Sequence, residues 1–162
     1  LGRLEGFRLT PEIAAAAVTG ARWPARLQRL TSGPLVETLA PRAVWLDGGH
    51  NPGAAEALAE TLADWPEKPR LIVGMLKTKD AAAYLKRLAP VVVGAETVAV
   101  PGADSTMTAE ALAEAARAAG MTARPHASLE AAAAAIDLAG DDAPVLIAGS
   151  LYLAGHVLAT HG

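Results

Sequence analysis

An acid and an imidazole stand three positions apart in the stretch Asp47-Gly48-Gly49-His50-Asn51-Pro52. The two glycines let the backbone turn sharply and approach a ligand without a Cβ in the way, while Asn51 suits a helix N-cap and Pro52 a first helical residue. A helix starting there aims its amides at the turn and favours an anion, which a carboxylate repels. Asp47 is therefore better suited to accepting hydrogen bonds from a ribose or an ammonium group. His50 could donate to a carboxylate or a phosphate. The same two side chains would serve equally well to tie down their own loop. Their spacing also suits a metal pair, but a third ligand at workable spacing is missing. His126, His156 and His161 are scattered along the chain, and no metal ligand is assigned to it.

Other polar groups carry weaker signals. Gly149-Ser150 is no nucleophile elbow, because "AGSLY" lacks the flanking glycines of G-x-S-x-G. Ser150 reads either as a helix cap or as a hydrogen-bond donor to a substrate. Lys77, Lys79 and Asp80 suit a solvated helix start, or a site if they lie on a binding rim. Arg26 lies in a linker, where a guanidinium is either solvated or free to swing onto phosphates. Neither G-x-G-x-x-G nor G-x-x-x-x-G-K-[ST] occurs, so any nucleotide bound here has its phosphates cradled elsewhere.

The elements that must position these groups follow from the apolar pattern. Runs at Ala43–Leu46, Leu71–Gly74, Thr97–Val100 and Val145–Ala148 read as buried strands, with a further short strand around Thr122–His126. Helices fit Pro52–Trp65, Asp80–Leu88, Ala109–Ala119, Leu129–Leu138 and Leu151–Ala159. Thr108 and Ser128 serve as N-caps, and Gly120 and Gly140 as stops. Strands alternating with helices predict an α/β fold, a Rossmann-like open and mostly parallel sheet with helices on both faces. Ligands of such sheets bind outside the carboxyl ends of the strands, where Asp47–Pro52, "MLKTKD", "PGADST" and Gly149-Ser150 converge on one rim. The first 42 residues differ: a short helix over Thr10–Val18, a pre-proline Trp23, an edge strand within Leu27–Leu30 and a turn at "TSGPL".

Composition narrows the class. The 162 residues are 52% hydrophobic and 19% charged, enough for one domain with a core and far from disorder. The net charge of -3 gives no basic surplus for nucleic acid, and no apolar run reaches the ~20 residues of a membrane span. The absence of cysteine and of a signal-peptide pattern points to the cytoplasm. The start at Leu1 suggests a fragment.

"RWPARLQ", "WLDGGHNPGAAEAL", "VGMLKTKD" and "IAGSLYLAGHVL" occur in the order and spacing of a known family. Across roughly residues 10 to 160 the chain resembles the C-terminal domain of folylpolyglutamate synthase/dihydrofolate synthase, within the Mur ligase superfamily. Ala25 stands where that family usually has Gly, and Gly49 where it usually has Ala. The resemblance divides the chain into the end of an ATP-binding domain plus linker (1–26) and a Mur ligase-like C-terminal domain (27–162).

The resemblance implies a ligase that uses MgATP to phosphorylate a carboxylate of dihydropteroate or a folate, after which the amine of L-glutamate attacks the acyl phosphate. It implies that Arg26 contacts ATP phosphates and that Asp47 binds the nucleotide. His50 and Ser150 would act at the reacting centre and place glutamate, with Asp80 a lesser substrate contact. The P-loop, the magnesium ligands and most of the folate site would lie in a preceding domain. The whole is expected to be a monomer, and the fragment alone inactive. The rival readings are a superfamily member ligating amino acids to peptidoglycan precursors, a stand-alone α/β hydrolase-like or nucleotide-binding enzyme, and a non-catalytic interaction domain.

Overall fold

The computed structural model describes residues 24–161. The helix expected over Thr10–Val18 and the pre-proline Trp23 lie outside the described residues. In chain order the elements are β1 (Gln28–Leu30), α1 (Pro34–Leu39), β2 (Val44–Leu46), α2 (Pro52–Ala63), β3 (Arg70–Val73) and α3 (Ala81–Leu88). A 3-10 turn at Ala89–Val91 leads to β4 (Ala95–Thr97), α4 (Ala109–Ala118), β5 (Ala123–Pro125), α5 (Leu129–Asp137), β6 (Val145–Ala148) and α6 (Leu151–Thr160).

The strands form one six-stranded sheet in the order β1-β2-β6-β3-β4-β5. Only β1 runs antiparallel, pairing Gln28 with Leu46 at the edge. The parallel core strands are continuous apolar runs because both their faces are covered. Leu71, Val73, Leu146 and Ala148 pack on one side against α2, α3 and α4. Ile72, Val145 and Ile147 pack on the other against α1, α5 and α6. The helices are held by buried leucines such as Leu58, Leu85, Leu112 and Leu153, each contributing about 1.5–3 kcal/mol of burial. Among the described residues no helix is long and apolar enough to cross a membrane.

The expected caps hold: Thr108 and Ser128 each accept a backbone N–H at 3.2 Å, and Gly120 and Gly140 take positive φ angles. Two local readings change. The strand expected over Thr97–Val100 is Ala95–Thr97, shifted upstream. Its centre is Glu96, a charge that masks a strand in an apolar scan; the residue is buried and bonded by Arg124 and His126. The Val98 N–H still donates to Val73 O at 2.9 Å, but beyond it the backbone leaves the ladder, and the Val100 N–H turns to the Thr106 hydroxyl at 2.7 Å. The "TSGPL" turn runs directly into α1, a helix of six residues too short to show a period, which buries Leu35 and Leu39.

Candidate functional site

The sheet connectivity creates a crevice. β6 sends α6 to the face opposite α2 and α3, yet it lies between β2 and β3, so the loops after these three strands diverge at their carboxyl ends. Such a reversal is where open α/β sheets hold ligands. A cavity of about 330 Å³ opens there, lined by His50 after β2, Thr78 and Lys79 after β3, and Ser150, Leu151 and Tyr152 after β6. Its size lies at the small end of the ~300–1,000 Å³ common for ligand pockets. Gly149 enters this wall at φ +106, and a Cβ there would stand 2.8 Å from the Gly74 carbonyl, so only glycine lets the β6 loop close over β3.

The turn after β2 serves two cavities. Asp47 does not line the first; with Arg26, Leu27 and residues of α2 it lines a second, of about 240 Å³. Its carboxylate accepts the Leu27 N–H at 2.8 Å and the Gly49 N–H at 2.7 Å, so it fastens the linker to the end of β2. The loop-tying role left open by the spacing is thus realised, with lone pairs remaining for a ligand donor. Beneath it the buried Tyr84 hydroxyl has no hydrogen-bond partner among the described residues; burial, and then the Asp47 charge, push its pKa up. Arg26 is exposed beside this cavity and makes no salt bridge among the described residues.

His50 keeps its helix start: the Asn51 side chain accepts the Ala54 N–H at 2.9 Å and Pro52 opens α2. The His50 Nδ1 lies 3.1 Å from the Gly48 carbonyl, which can only accept, so Nδ1 carries a proton. Nε2 is then an acceptor in the neutral ring and a donor only in the imidazolium. Donation to a carboxylate or phosphate therefore requires the charged form.

Ser150 is buried and caps α6, its Oγ accepting the Tyr152 N–H at 3.1 Å. Its hydroxyl proton remains available to the cavity it lines. Asp80 caps α3 by accepting the Ala83 N–H at 3.0 Å and does not line the cavity. Its neighbours Thr78 and Lys79 do, and Lys79 brings a positive charge to the wall. Sequence reasoning left Thr78 aside; its signal was its place in a polar loop after a buried strand. That loop is braced by the one after β4, the Lys77 N–H donating to Ser105 O at 2.8 Å and the Met107 N–H to Met75 O at 2.9 Å.

The donor set tests what could be held. Arg26, Lys79 and the His50 imidazolium suit anionic oxygens, and Asp47 suits hydroxyl or ammonium donors. Asp47 and Asp80 already accept backbone N–H groups on different elements and do not form an oxygen cage for magnesium.

A family model described as "Mur ligase, glutamate ligase domain" matches residues 26–151. The chain is 35% identical over 153 residues to the folylpolyglutamate synthase of Lacticaseibacillus casei, covering 94% of this chain and 33% of that protein. Its fold matches a Mycobacterium tuberculosis folylpolyglutamate synthase complexed with ADP at a TM-score of 0.75 and 27% identity, covering 93% of this chain and 35% of the other. A bifunctional folylpolyglutamate synthase/dihydrofolate synthase with Mn, AMPPNP and L-glutamate bound matches at 0.72 and 29%, covering 95% and 35%. The chain thus spans about a third of the length of these relatives.

Proposed function

This chain belongs to the Mur ligase family as a glutamate ligase domain, and from that premise we propose that it is the C-terminal lobe of an ATP-dependent ligase adding L-glutamate to dihydropteroate, folates or both through an acyl phosphate. The observation that carries this reading is that one six-residue turn serves two cavities, Asp47 with Arg26 at one and His50 with Ser150 at the other. Relatives named folylpolyglutamate synthase, and related structures holding ADP, AMPPNP and L-glutamate, support it. The residues before 27 are read as the end of an ATP-binding domain and its linker, and the whole as a cytoplasmic monomer.

In this reading ATP supplies the phosphoryl group that activates the carboxylate, and a divalent ion, read as magnesium, would be held by residues of the preceding domain and would offset the phosphate charge. The work of this lobe is positioning and charge stabilisation. Asp47 anchors the turn that presents Arg26, whose guanidinium faces the phosphates, and its spare lone pairs accept from a ribose hydroxyl. Lys79 and the His50 imidazolium gather the carboxylates of glutamate, and the Ser150 hydroxyl donates into the same cavity. The incoming amine attacks the acyl carbon and phosphate departs. Leu151 and Tyr152, 57% and 66% exposed at the mouth, leave the cavity open on the side that a second lobe would close.

The test is the full-length gene product assayed for glutamate-dependent ADP release with dihydropteroate and with a folate. Release with at least one, and none from residues 1–162 alone, is the expected result. A folded full-length protein that turns over neither pteridine but accepts a peptidoglycan precursor would replace this reading with the rival ligase.

A further inference from the structure

Away from the rim, the far end of α6 brings together residues that the sequence spreads apart. His156 lies in the helix and His161 is its C-cap. Five positions along an ideal helix would set these rings on different faces. The cap residue leaves helical geometry at φ -137, ψ 5, and the rings meet edge to face with centroids 6.1 Å apart. Glu130, in the first turn of α5, completes the group: its Oε1 lies 3.2 Å from the His161 Nε2. One ligand atom from each of the three residues lies within 4.8 Å of the others.

We propose that Glu130, His156 and His161 form a binding site for a divalent transition-metal ion of the zinc class, a clip joining α5 to α6. Two imidazoles and one carboxylate are the borderline donor set that zinc, cobalt and nickel prefer, whereas magnesium and calcium require oxygen cages. Metal–ligand bonds of about 2.0–2.2 Å place tetrahedral ligand atoms roughly 3.3 Å apart, and the Glu130–His161 pair already stands at 3.2 Å. Only His156 has to close in. It is half-buried, and Glu130 is 59% exposed, so both have room to turn.

His161 is the fixed member. Its side chain is 8% exposed, and the carbonyl of the same residue packs so tightly on Gly33 that a Cβ there would stand 2.0 Å from it. The buried ring has no hydrogen-bond partner for Nδ1 among the described residues. That leaves Nε2 as its polar contact, aimed at a half-exposed carboxylate. The carbonyl-rich end of α6 adds a favourable field for a cation. Three protein ligands leave further positions to water.

The site is read by titrating the untagged, chelator-treated chain with Zn2+ by calorimetry and with Co2+ by visible absorption. One equivalent should bind, with the Co2+ spectrum of a four- or five-coordinate nitrogen and oxygen site. Because loss of even an outer-shell partner commonly weakens metal binding 10–100-fold, His156→Ala and Glu130→Gln should each weaken it by more than about tenfold. His126→Ala, at the other end of the sheet order, should leave it unchanged. Both informative variants alter residues with solvent access, so folding is not at stake, and circular dichroism checks it. Failure of Zn2+ to saturate at submillimolar concentration, or equal affinity in wild type and both variants, overturns the site.

Discussion

The Asp47 carboxylate and the Leu27 amide, twenty positions apart, are joined by a 2.8 Å hydrogen bond that fixes the linker to the end of β2. The Gly48 N–H reinforces it by donating to Ala25 O at 2.7 Å. Asp47→Ala leaves two amides without their acceptor and should lower stability by about 1–3 kcal/mol. On the function proposed above, the full-length protein should also show a raised KM for ATP, because the turn presenting Arg26 loosens. Thermal melts alongside ATP saturation curves check both effects, and a change in neither removes Asp47 from the site and from the tie.

Arg26 gives the complementary case. It is exposed and makes no salt bridge among the described residues, so Arg26→Ala should leave the melting temperature nearly unchanged while cutting turnover in the full-length protein. Normal specific activity would assign this guanidinium to solvent.

His50→Ala should mainly affect glutamate use or kcat, because His50 lines the cavity with Ser150 and Lys79 rather than the one beside Arg26. The expected loss of transition-state stabilisation is on the order of 1–3 kcal/mol, read from kcat/KM for glutamate. A rise confined to the ATP KM would reverse the division of labour between the two cavities.

Ala25 sits at φ 57 and Leu27 at φ 41, left-handed values that cost a residue bearing a Cβ about 1–2 kcal/mol. At Ala25 the methyl is buried, so Ala25→Gly exchanges relieved strain for lost packing and should be near neutral. Ala25→Val adds a branch to the same strained backbone and should cost more than about 2 kcal/mol. Chemical denaturation of the two variants measures the contrast.

Glu96 supplies a pH dependence. Burial raises its pKa, but hydrogen bonds from Arg124 at 2.6 Å and His126 at 2.7 Å outweigh that and hold it below the ordinary 4.5. The unfolded chain therefore takes up this proton first as acid is added. The contribution is present above pH 4.5 and lost as the pH falls from there through the lowered value. Glu96→Gln should flatten the fall in stability across that acid window, as followed by urea midpoints at several pH values.

The alternation of strands and helices was legible because buried parallel strands must be apolar on both faces, as β3 and β6 are. The convergence of Asp47, His50 and Ser150 on one sheet end followed from the same alternation. What the sequence concealed has local causes. Glu96 hid β4 because its neutralising partners, Arg124 and His126, lie far along the chain. Asp80 drew attention as a carboxylate on the rim, yet capping α3 occupies it, and Lys79 takes the wall. His156 and His161 read as scattered because five-residue spacing does not stack on a helix; a cap leaving helical geometry brings them together.

The placement of β6 bears on how the molecule is made. It is the last of this sheet's six strands in chain order, yet it lies between β2 and β3 and pairs with both. Until residues 145–148 leave the ribosome, β2 and β3 each present an unpaired backbone edge, the surface on which nascent chains associate wrongly. His50 is therefore translated long before Ser150, with which it lines the cavity. A ribosome stalled before β6 would carry a sheet split in two, and a protease should find it far easier to cut than one stalled after α6.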